Sequence, residues 1–122
     1  MRTILPVATM LAALTRTGPA AAHAFPIAEQ PKVGSTVNAS PPDVAITFDS
    51  PIETLFAQLG VAGDNGQDET AGAPSVSDDR RTLSVALKPL KPGDYTVTWS
   101  VVAEDGHRTE GSFQFTVAAG GQ

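Results

Sequence analysis

The sequence contains no cysteine. That absence excludes thiol catalysis, Cys-ligated zinc, iron–sulfur clusters and a blue-copper centre with its Cys ligand. It also excludes disulfides, so the folded chain rests on its core alone. Methionine occurs only at Met1 and Met10, which leaves no thioether in the rest of the chain. Bases are scarce: eight Lys and Arg stand against thirteen Asp and Glu. Nucleic acid is therefore not an expected partner, because binding to phosphate rests on Lys and Arg. No apolar run reaches the length of a bilayer-spanning helix. No segment after residue 22 carries a helical period, and no internal repeat is found.

What is present begins with a leader. Met1-Arg2 is a short basic end, residues 4–14 are mostly apolar, and Ala20-Ala21-Ala22 forms an A-x-A cleavage pattern. Parts in this order predict a secretory signal peptide over residues 1–22 and one domain over residues 23–122. The leader takes Arg2 and Arg16 with it and no acid. Eight bases become six against thirteen acids, so the charge moves from −5 to −7. Such a domain stays soluble and attracts cations. Ala22-His23-Ala24 also satisfies A-x-A, which leaves a cut after Ala24 as an alternative.

The remainder reads as strands and turns. Residues 25–28 form a first short strand, and Gln30-Pro31-Lys32-Val33-Gly34-Ser35 is a turn. Val44, Ile46 and Phe48 alternate with Ala45, Thr47 and Asp49, and Leu83, Val85 and Leu87 alternate in the same way. A less regular strand is expected over residues 54–61, a polar loop over residues 63–74, and a short strand over residues 75–77 before a turn at residues 78–81. The clearest signal is a hairpin over residues 95–117. Tyr95, Val97, Trp99 and Val101 share one face of its first run, and Thr109, Gly111, Phe113, Phe115 and Val117 share one face of its second. Asp105-Gly106 supplies the turn. The expected fold is an all-β sandwich or small barrel. Its expected core is Val44, Ile46, Phe48, Leu83, Val85, Leu87, Tyr95, Val97, Trp99, Val101, Phe113, Phe115 and Val117.

Only two histidines exist, His23 and His107. A cut after Ala22 makes His23 the first residue, so that its α-amine and Nδ1 can chelate one metal together. An α-amine titrates near ~8, so a metal displaces its proton at neutral pH. His107 adds a third nitrogen, and Asp105 a carboxylate oxygen beside it. Three nitrogens and one oxygen suit Cu(II), which prefers tetragonal N/O sites; Zn(II) is the competitor and asks for a tetrahedron. Taken singly, the parts are ordinary. Asp-Gly followed by His is most simply a turn with a solvated His, Glu53 a solvated carboxylate, and Trp99 a core residue.

The sequence resembles the CopC copper-resistance proteins over essentially the whole of residues 23–122. The residues that carry the likeness are His23-Ala24, the segment from Gln30 to Ser35, Ile46-Thr47-Phe48-Asp49-Ser50-Pro51-Ile52-Glu53, Leu90-Lys91-Pro92-Gly93-Asp94-Tyr95-Thr96-Val97-Thr98-Trp99, Val101-Val102-Ala103-Glu104-Asp105-Gly106-His107 and Gly111-Ser112-Phe113-Gln114-Phe115-Thr116-Val117. The resemblance implies a periplasmic, Ig-like Greek-key β-sandwich or barrel that binds Cu(II). By position, the implied ligands are His23 through amine and imidazole, Asp105 and His107. Ser50 stands where some members have a Glu near the metal, and Glu53 is left with at most an outer role. The Met-rich Cu(I) site of some members is not expected here.

The expected function is that of an exported copper carrier, not an enzyme, which hands Cu(II) to an inner-membrane protein of the CopD type. No stable membrane insertion is expected after leader removal. Two other classes are weighed beside it: a copper-dependent oxidative enzyme with a histidine brace, and a metal-free Ig-like interaction module.

Overall fold

The structure is a computed structural model that describes residues 23–120. The leader expected over residues 1–22 lies outside the described residues. Eight strands follow in order: β1 (Pro26–Gln30), β2 (Thr36–Val37), β3 (Asp43–Phe48), β4 (Gln58–Gly63), β5 (Ser75–Val76), β6 (Thr82–Ala86), β7 (Gly93–Val102) and β8 (Arg108–Val117). They form two four-stranded sheets, ordered β1-β3-β6-β5 and β2-β8-β7-β4. Only β5–β6 and β7–β8 are consecutive neighbours, and the other connections pass from one sheet to the other, as in an Ig-like Greek-key sandwich. Every pairing is antiparallel except β2 with β8.

Alternation decides the faces, because successive side chains of a strand point to opposite sides. All thirteen residues expected in the core are buried there. Phe48 of β3 meets Trp99 of β7 edge to face, with centroids 5.3 Å apart, which ties the two sheets together. Trp99 pairs with Gly111 across β7–β8. A Cβ at Gly111 would lie 2.9 Å from the indole, so the absent side chain is what seats the ring. Tyr95 stacks on Phe115 and donates its O–H to the Lys91 carbonyl at 2.5 Å. That return bond resembles the tyrosine corner of Ig-like sandwiches.

Three expectations shift. The strand expected over residues 54–61 splits into one turn of 3-10 helix, Thr54–Phe56, and then β4. Leu55 and Phe56 are exposed and break the alternation, while Ile52 and Glu53 are held by backbone bonds to Arg80 and Val102 as the chain crosses between sheets. The first strand starts and ends slightly later than expected, at Pro26–Gln30. β2 was not anticipated: two residues are too few to show a period. The loop over residues 63–74 contains isolated bridges, Ala62 to Asp68 and Thr70 to Leu87.

Candidate metal centre

The hairpin tip follows from its own sequence. Ala103 N–H donates to the His107 carbonyl and Gly106 N–H to the Ala103 carbonyl, both at 2.9 Å. Gly106 adopts φ +90°, a conformation that a side chain would oppose. Asp105 folds back on the residue two ahead of it, a habit of Asp in turns. Its Oδ1 accepts from His107 N–H at 3.0 Å, and its Oδ2 lies 3.0 Å from His107 Nδ1. The His107 N–H, and after it the His107 ring, hold the Asp105 carboxyl below its ordinary pKa; desolvation opposes them, and the electrostatic influence of His107 and then His23 adds a smaller lowering. Nδ1 of His107 thus faces the Asp105 carboxylate.

His23 is brought to this tip by the start of the chain's fold. Ala24 is fully buried, and its carbonyl accepts from Thr109 Oγ1 at 2.7 Å. Phe25 N–H donates to Asp49 Oδ1, and Asp49 N–H to the Phe25 carbonyl, both at 2.9 Å. The segment is thus fastened to β8 of one sheet and to the end of β3 of the other. The His23 ring lies edge-on to the His107 ring, with centroids 4.7 Å apart, and also meets Phe25. Its Nδ1 is buried and has no hydrogen-bond partner among the described residues. A buried nitrogen without a partner is costly unless something else occupies its lone pair or its proton.

Each of His23, Asp105 and His107 offers a donor atom within 4.8 Å of the other two. Among the described residues, this is the one such group of His, Cys, Asp or Glu. The three residues expected from sequence to bind metal therefore stand together, although His23 is more than eighty positions away from the others. Glu53 is not part of the group; its backbone N–H donates to the Val102 carbonyl at 2.8 Å. Sequence reasoning missed Thr109 and Asp49, which place His23. Each looks like an ordinary polar residue on or at the end of a strand, and nothing local marks its partner.

The arrangement can take a small, positively charged ion with nitrogen and oxygen donors. Residues 27–118 match the CopC domain family. The chain is 36% identical over 98 residues to Protein YobA of Escherichia coli K12, covering 79% of each protein. It is 32% identical over 98 residues to Copper transport protein CutJ of Bacillus subtilis, covering 79% of this chain but 18% of that much longer protein. The crystal structure of CopC from Methylosinus trichosporium OB3b superposes with a TM-score of 0.74 at 27% identity, over 80% of this chain and 96% of that one.

Proposed function

The chain belongs to the CopC family, and from that premise we propose that it is an exported carrier of Cu(II), held by His23, Asp105 and His107. The observation that carries this reading is the buried, unpartnered Nδ1 of His23 beside the two other donors. After a cut behind Ala22, that nitrogen and the new α-amine close a chelate ring on one ion. His107 adds a ring nitrogen, and Asp105 a carboxylate oxygen that its low pKa keeps ionised. The set contains only nitrogen and oxygen, which favours Cu(II) over the thiophilic Cu(I). The burial of Ala24 and its bond to Thr109 favour a cut before His23, because a cut after Ala24 discards a core residue along with the first ligand.

In this reading the protein carries copper and performs no turnover. Export places it in the periplasm, and its partner is a copper protein of the inner membrane of the CopD type. Support for such a partner comes from the copper transport protein CutJ, in which a domain like this one makes up a minor part of a longer chain. The test is a Cu(II) titration of the chain starting at His23 against one with a single extra residue before it. The amine chelate requires markedly weaker binding in the extended form, and equal affinity refutes it.

A further inference from the structure

The turn between β5 and β6 carries two neighbouring arginines, and each reaches a different half of the site. The turn is closed by its own bonds. Arg80 N–H donates to the Ser77 carbonyl at 2.8 Å, and the Asp79 carboxylate accepts from Ser77 Oγ at 2.7 Å and from Arg81 N–H at 3.1 Å. Arg80 sits at φ +60°, the only non-glycine residue with positive φ among those described. A glycine suits that backbone better, so the long side chain of Arg80 is held there at a backbone cost.

Arg80 pairs through Nη2 with the carboxylate of Glu104, the residue just before Asp105. Arg81 donates from Nη1 to the Asp49 carbonyl at 2.7 Å. Asp49 in turn accepts Phe25 N–H on its side chain, two residues after His23. The backbone adds Ile52 N–H to the Arg80 carbonyl at 2.8 Å and Phe48 N–H to the Arg81 carbonyl at 2.7 Å. One turn is therefore fastened to the hairpin tip on one side and to the anchor of the N-terminal segment on the other.

We propose that this turn is a brace that sets the spacing between the His23 half and the Asp105–His107 half of the site, with Arg80 as the positioning residue for the tip; this rests on the copper reading above. Charge alone does not account for Arg80, because a guanidinium near a dication opposes its binding. The two explanations give opposite signs. Removing Arg80 strengthens copper binding if only its charge matters, and weakens it if the brace matters.

Arg80→Gly is the decisive variant, because glycine accepts the turn's φ and the fold loses no backbone support. The domain should melt no earlier than the parent. In the metal-free protein, amide hydrogen exchange at residues 104–108 should quicken. Cu(II) affinity of the chain starting at His23 should fall about two- to fivefold, the scale of one exposed ion pair, with altered copper hyperfine splitting in the electron paramagnetic resonance spectrum. Glu104→Gln should loosen the tip equally, and the double variant no further. Unchanged exchange at the tip, or tighter copper binding in Arg80→Gly, overturns the brace. If the parent chain takes up no Cu(II), the copper reading falls, while exchange in the metal-free tip still decides the brace.

Discussion

Thr109→Val removes the hydroxyl that satisfies the Ala24 carbonyl and keeps the shape of the side chain. Ala24 is fully buried, and among the described residues no other hydrogen bond reaches its carbonyl. A buried acceptor left without a partner costs about 1–3 kcal/mol. That cost can appear in two places. If the N-terminal segment stays docked, the whole domain loses the full amount. For a domain near 100 residues, each kcal/mol lowers the melting temperature by roughly 4–8 °C. If the segment lifts instead, water reaches the carbonyl and the fold melts as before, but His23 leaves the tip. Copper affinity then falls by the docking free energy, about 5- to 150-fold for the same range. Urea unfolding followed by the emission of Trp99, the sole tryptophan, measures the first quantity. Competition for Cu(II) against a chelator of known affinity measures the second. The reasoning requires the two losses together to reach at least 1 kcal/mol. A variant that keeps both stability and affinity shows that the Thr109 bond does not hold His23 in place.

Other substitutions probe the rest of the molecule. Gly111→Ala drives a methyl to 2.9 Å from an indole that Phe48 already confines; overpacking of this kind costs about 1–3 kcal/mol, visible as an earlier melt and a shifted Trp99 emission. His107→Ala and Asp105→Ala should each weaken Cu(II) binding in the chain starting at His23 without lowering the melting temperature much, since both lie in an exposed turn; full affinity in both would mean the ion is held elsewhere. The Asp79 carboxyl is held below its ordinary pKa chiefly by the Ser77 hydroxyl and then by Arg81 N–H. Ser77→Ala should raise that pKa part of the way back, as read by carbon-detected NMR titration. Because the folded pKa is the lower one, Asp79 supports the fold above the ordinary carboxylate pKa. That support is lost as pH falls through the folded value.

Much of the sandwich could be read directly from the chain. β3, β6, β7 and β8 alternate over five to ten residues, and each core residue expected on them is buried. Alternation is a local property, enforced by the pleat and by the cost of exposing apolar side chains, so it survives in sequence. Where that local rule is weak, the reading failed. β2 is two residues long, and Thr54–Phe56 follows the demands of a crossing segment rather than a period. Ala24, Ile52 and Ala103 are buried because neighbouring elements close over them, not because of any pattern of their own.

The proposed donors His23, Asp105 and His107 were identifiable from residue type and from the expected cleavage, since Cu(II) favours nitrogen and oxygen donors whatever the fold. Their meeting was not written in any local pattern. It depends on the hydroxyl of Thr109 reaching Ala24 across 85 positions, on Asp49 catching Phe25 across 24, and on Arg80 reaching Glu104 across another 24. The first and last of these bonds join elements whose separation is set by the packing of two sheets, and the second extends the pairing of β1 with β3. A polar side chain on a strand does not announce which distant backbone group it will satisfy. The chemistry proposed for the site was therefore legible in the chain, whereas its geometry arose only when the two sheets closed around the core.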